Sequence, residues 1–141
     1  MLLIFDSINF QRMKYIFTTL LLSITAITTQ AQATLTIENN SQRNMTVKVM
    51  RGTTQGSLHK TVSIAPFGSA TVNFYETGNY FTKTKAVLAG RDPIYQKGKS
   101  FHVTNDDTGY SVLTITYTIK ESAVPQATGG TPISKTEFDQ N

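Results

Sequence analysis

Cysteine and tryptophan are absent from this 141-residue chain, and histidine occurs twice. With no cysteine there is no disulfide framework, so stability has to come from a packed core. A lipoprotein-type anchor, which needs a cysteine behind a leader, is excluded as well. The two histidines, His59 and His102, fall in no HxH, HxxxH or HExxH pattern, so no metal pair on one strand or helix is expected. GxSxG is missing. The adjacent carboxylates Asp106 and Asp107 sit on one turn, where they do not present two carboxyls to one bond. No D-x-D-x-D-G calcium loop surrounds them, and Thr104, Asn105, Asp106 and Asp107 read as turn chemistry. No cofactor, metal or catalytic residue is expected.

Long apolar runs are also scarce. From Met13 the chain reads MKYIFTTLLLSITAITTQAQA. Lys14 is a positive start, residues 16–27 are apolar but diluted by Thr and Ser, and Ala31-Gln32-Ala33 is a small-x-small cleavage pattern. These are the three parts of a secretory signal peptide. The stretch is shorter than the about 20 apolar residues that span a bilayer, so no stable membrane span is expected after processing. Residues 1–12 place their apolar side chains before the first positive charge, the reverse of a normal leader, so translation is expected to start at Met13. Residues 1–33 are thus an extension plus leader. The mature chain begins at Thr34, or at Gln32 if the cut follows Ala31, and is secreted or periplasmic. From Thr34 onward eleven Lys and Arg face eight Asp and Glu, a net charge of +3. That is too little for nucleic acid, which calls for a dense basic stripe.

What the chain does hold is alternation. In Tyr110–Lys120, Leu113, Ile115, Tyr117 and Ile119 share one face and Val112, Thr114, Thr116 and Thr118 the other, so the stretch reads as a half-buried strand. Six more strands are expected at residues 34–38, 45–50, 60–64, 70–75, 80–88 and 100–104. Ala65-Pro66-Phe67-Gly68 reads as a type I turn between the third and fourth. In the fifth, Lys83 and Lys85 mark the outward face. Residues 90–98 read as a connection, because Pro93 argues against a central strand. Seven short strands at regular spacing define an all-β class: an antiparallel, seven-stranded, immunoglobulin-like or transthyretin-like sandwich over residues 34–120. Residues 121–141, with two prolines and Gly129-Gly130, read as a flexible tail in which Ser134 and Glu137 can cap a single turn.

Glu76-Thr77-Gly78-Asn79-Tyr80 ahead of a strand resembles the acid-x-Gly-x-Tyr corner of immunoglobulin-like domains, although that family's disulfide and core tryptophan are absent. The resemblance implies that the Tyr80 hydroxyl bonds back to the backbone and pins a sheet-to-sheet corner. The whole chain resembles the small exported bacterial β-sandwich proteins that have no assigned activity.

Five cations, Lys83, Lys85, Arg91, Lys97 and Lys99, lie close together with Tyr80, Phe81 and Tyr95 beside them. They form a candidate surface for an anionic envelope glycan or an acidic protein. The expected function is a non-enzymatic exported binding module whose partner and oligomeric state are open. Two alternatives stand beside it. One is a small hydrolase using His59 or His102; the other is a structural subunit that assembles by strand addition.

Overall fold

The computed structural model describes residues 31–141. The leader expected at the N-terminus lies almost wholly outside them. Twelve strand segments and one helix follow in order: β1 (Ala33–Asn40), β2 (Asn44–Gly52), β3 (Gly56–Ile64), β4 (Ser69–Phe74), β5 (Gly78–Val87), β6 (Ile94–Lys97), β7 (Phe101–Val103), β8 (Asn105–Asp106), β9 (Gly109–Tyr110), β10 (Val112–Lys120), β11 (Gln126–Thr128), β12 (Thr131–Pro132) and α1 (Lys135–Asp139).

Apart from β8 and β9, which form a small two-stranded ladder of their own, they form two stacked sheets. The first has the order β11-β10-β1-β4. The second has the order β12-β6-β5-β2-β3, with β7 also pairing with β5. Every pairing is antiparallel except that of β1 with β10, which runs parallel from Thr34 opposite Val112 to Asn40 opposite Thr118. An all-antiparallel arrangement was expected from the short turns. The first and last long strands share no turn, however, and crossing connections leave them side by side in the same direction.

The alternating residues do what a pleated, half-buried strand requires. Leu35, Ile37, Val47, Val49, Val72, Phe74, Tyr80 and Tyr117 close the core at no more than 1% exposure. Leu113 and Ile115 pack against it partly buried. The inward face of β1 does not stop where its apolar residues do. Asn39, Ser41 and Arg43 continue the same every-second-residue pattern and are buried too.

Four expectations change. Residues 90–98 are not merely a connection: β6 pairs with β5 from Lys83 opposite Lys97 to Ala86 opposite Ile94. Pro93 precedes that strand and removes no hydrogen bond from it. The 65–68 turn is not type I. Phe67 at its third position has φ 57° and Gly68 N donates to the Ala65 carbonyl at 3.0 Å, which is the type II geometry usually reserved for glycine.

Lys83 is on the outer face as expected, yet it is only 6% exposed. The reason is the fourth change: residues 121–141 are not a loose tail. β11 adds to β10 at the edge of one sheet, and β12 adds to β6 at the edge of the other. α1 then lies on β5 and β6. Gly129 makes the crossing between the sheets at φ 106°; a Cβ there would come 2.8 Å from the Tyr117 ring. Too short and too polar to fold alone, this segment is ordered by what it docks on.

The two lateral sides of the sandwich therefore differ. On one side, β11 and β12 are stitched across both sheets. On the other, β3 and β4 are the outermost strands of their sheets, and among the described residues no further strand pairs with either.

Candidate functional site: the open edge and the covered lysine face

The open side is built on β3, a nine-residue strand, and the six-residue β4, joined by the 65–68 turn. Register slips between Val49 and Met50 where β2 meets β3. The slip turns the His59 ring toward β4. There it stacks on Phe74 with centroids 4.9 Å apart and planes 6° from parallel. Its Nε2 donates to the Asn73 carbonyl oxygen at 2.9 Å. This histidine closes the gap between two sheets by stacking and a backbone bond.

Around that edge the large apolar side chains are bare: Leu58 is 41% exposed, Phe67 68% and Tyr75 73%. Phe67 combines exposure with strain, since a left-handed backbone costs a non-glycine residue about 1–2 kcal/mol. The surroundings hold it there. Phe67 N donates to the Ser41 carbonyl at 3.2 Å, Asn39 N to the Gly68 carbonyl at 2.9 Å, and Asn39 Nδ2 to the Ala65 carbonyl at 3.0 Å. A strained, clamped turn that aims an aromatic ring at solvent is the kind of feature found at binding sites.

The lysine face is the other candidate, and the chain itself covers much of it. Lys83 Nζ donates to the Glu137 and Gln140 carbonyls, each at 2.8 Å. Burial is the main cause that holds its pKa below the ordinary range, with the like charges of Lys48 and Lys97 adding to it and Glu137 opposing. Lys97 donates to the Thr54 carbonyl at 2.8 Å and sits 4.8 Å over the Phe81 ring. Arg91 bonds the Ser122 carbonyl and lies 3.7 Å from the Glu121 carboxylate. Lys85 is half-buried and Lys99 exposed. Of the five cations, three are thus occupied by the protein's own chain.

Tyr80 is 1% exposed, and its hydroxyl donates to the Glu76 carbonyl at 3.2 Å. Its ring stands edge-on to Phe74 at 4.6 Å and stacks with Phe101 at 6.2 Å. Replacement by phenylalanine keeps those contacts and removes the hydrogen bond. The expected loss is about 1 kcal/mol in chemical denaturation; an unchanged midpoint would show that the bond contributes nothing.

His102 is exposed, with Nδ1 3.1 Å from Asn79 Oδ1. Asp106 accepts from Thr108 N at 2.8 Å, and the two Thr108 hydrogen bonds hold its carboxyl below the ordinary range. Asn105 Oδ1 accepts from Ala33 N at 3.1 Å, which ties the start of β1 to this turn. Among the described residues no group of three or more His, Asp or Glu is placed to hold a metal. No helix among them is long and apolar enough to cross a membrane.

Beside the 65–68 turn lies a buried polar network of Asn39, Ser41 and Arg43. Ser41 Oγ donates to Asn39 Oδ1 at 2.6 Å and accepts from Arg43 N at 3.1 Å. Arg43, with no exposed surface, grips Glu121 through Nε at 2.6 Å and Nη2 at 3.3 Å. Its Nη1 reaches the Ala86 and Asp92 carbonyls at 3.2 and 2.8 Å. In the sequence, Asn39, Ser41 and Arg43 only continue the two-residue spacing of Leu35 and Ile37, and their polar side chains gave no sign of burial.

The Arg43 hydrogen bond, ahead of the coulombic attraction of Arg43 and Arg91, holds the Glu121 carboxyl below its ordinary value of 4.5. A depressed carboxylate contributes stability that is complete above about pH 4.5 and is lost as pH falls through the folded value. Thermal midpoints should therefore fall below that pH. Glu121→Gln should lower the midpoint at neutral pH and flatten the acid limb; a variant with the wild-type acid limb would remove Glu121 from this role.

No protein-family model and no curated protein matches this chain.

Proposed function

We propose that the protein is an exported, non-enzymatic interaction module of the immunoglobulin-like or transthyretin-like kind, and that it takes an extended segment of a partner protein along β3. The observation that carries this reading is the asymmetry of the lateral sides. The outermost strands on one side, β11 and β12, are three and two residues long, while on the other side β3 and β4 are nine and six. An edge strand offers unpaired N–H and C=O groups to any extended chain, and natural sheets normally blunt such edges. Here Leu58, Phe67 and Tyr75 add exposed apolar surface beside the edge. A protein partner is favoured over an anionic glycan because Lys83, Lys97 and Arg91 already have partners within the chain.

We place the leader cleavage after Ala31. Ala33 is fully buried opposite Phe74, and a later cut would remove it from β1.

The test is capture from a cell-envelope extract by the wild-type protein and by Phe67→Gly. Glycine relieves the left-handed strain, so this variant should be as stable as wild type or more so, by up to about 1 kcal/mol. A protein captured by wild type, cross-linking to β3 and lost with Phe67→Gly at unchanged stability, supports the reading. Equal capture by both, or capture of glycan alone, overturns it.

A further inference from the structure

The outer face of the β2–β5–β6 region carries a row of like charges. Lys48 stands directly opposite Lys83, and Lys83 directly opposite Lys97, in the strand register. Like charges facing each other across a ladder are unfavourable unless an anionic or carbonyl-rich partner lies over them. In this structure that partner is the C-terminal segment. Lys48 Nζ donates to the Phe138 carbonyl at 3.0 Å and to Asn141 Oδ1 at 2.8 Å. Lys83 takes the Glu137 and Gln140 carbonyls, and the Glu137 carboxylate is 3.9 Å from Lys97.

Phe138 is the anchor of the docked segment. It is 5% exposed, with Lys48 Nζ 4.8 Å from its ring centroid and the Tyr95 ring 5.5 Å away. A cation over an aromatic face and a ring beside it form a small aromatic socket.

The seat is not fully used. Among the described residues Glu137 is the one carboxylate within 4.0 Å of a lysine of the row, while Asp139 pairs with Lys135 at 2.6 Å and feels Lys48 only at longer range. Beside the helix a cleft of about 760 Å³ stays open, with Thr54, Gln55, Gly56, Phe81 and Lys83 on the sheet side and Thr136 on the segment side. The occupant is a five-residue helix, short enough to leave readily.

We propose that the Lys48–Lys83–Lys97 row, with its Phe138 socket and adjoining cleft, is a recognition site for an acidic peptide segment bearing an aromatic side chain. Residues 134–141 are its built-in competitor. A segment in trans would set its aromatic ring where Phe138 sits and its carboxylates against the three ammonium groups, relieving the like-charge row more completely than one glutamate does. The lysine row lies on the sheet face, the cleft meets β3 only at its first residue, Gly56, and the proposal does not depend on the β3 reading.

The probe is a fluorescein-labelled peptide of residues 131–141, titrated by anisotropy against the full chain in three forms. Phe138→Ala frees the socket, and Glu137→Lys loosens the segment without touching the core. Both variants should bind the peptide saturably, and wild type should bind roughly tenfold more weakly because the tethered segment competes at high effective concentration. Adding Lys83→Gln to either variant should abolish binding, and raising salt should weaken it. No saturable binding by Phe138→Ala and by Glu137→Lys overturns the proposal. So does binding equal to that of wild type, or binding indifferent to Lys83→Gln.

Discussion

Replacing Arg43 by methionine should lower the thermal midpoint by on the order of 10 °C, the equivalent of about 3 kcal/mol in a domain of this size. The guanidinium has no exposed surface and makes four hydrogen bonds to three separate parts of the chain. Ala86 is the next-to-last residue of β5, Asp92 precedes β6, and Glu121 starts the C-terminal segment. Methionine fills similar volume but leaves two carbonyls and a carboxylate without their donor. A buried pair broken from one side is far more damaging than one replaced on both sides. Arg43→Lys should recover little, because an ammonium cannot reproduce the planar fork that meets both Glu121 oxygens. The double variant Arg43→Met with Glu121→Met should be milder than Arg43→Met alone. If the single variant melts within a degree or two of wild type, Arg43 is not the hub its contacts describe.

Phe74→Ala should be at least as severe, at about 3–5 kcal/mol, read as a fall in denaturation midpoint at unchanged m-value. Phe74 is fully buried and touches three rings: His59 stacked at 4.9 Å, Tyr80 edge-on at 4.6 Å and Phe101 edge-on at 6.4 Å. Truncation leaves a cavity walled by rings that are themselves held, His59 by the Asn73 carbonyl and Tyr80 by the Glu76 carbonyl. Such walls collapse poorly, which puts the loss at the upper end. Phe74→Leu fills most of the volume and gives up the ring geometry, so about 1–2 kcal/mol is expected. A Leu variant as damaged as the Ala variant would show that ring geometry, not volume, dominates here. The consequence reaches the open edge, because His59 spans β3 and β4 through this ring.

The fold class was legible because its long strands alternate. Leu35 and Ile37, Val47 and Val49, Val72 and Phe74, and Tyr117 and Ile119 each repeat every second residue, and each pair is buried. What lay beyond reach has a physical reason in each case. The parallel β1–β10 pairing joins strands far apart in sequence, and no local pattern encodes it. β11 and β12 are three and two residues long, too short to show a period. Their order comes from the edges they meet. Phe138 is a single apolar residue in a polar segment, so nothing in the sequence separates an anchor from a stray side chain. Lysine on the outer face was legible, but the cover over it was not, because that cover depends on where α1 lands. Phe67 looked like an ordinary residue after proline; only its φ of 57° and its exposure mark it out.

The most direct test of the difference between the two lateral sides is amide hydrogen exchange on the full chain. β10 should be protected at residues 118–120 and β6 at residues 96–97, because β11 and β12 pair with their outer edges there. Alternate amides of β3 and β4 should exchange fast, since their outward N–H groups meet water, and residues 126–128 should be slower than an unstructured chain. Uniform protection along β3 and β4 would contradict the account. So would exchange of residues 126–138 at the rate of a disordered segment, since the same side would then be open as well.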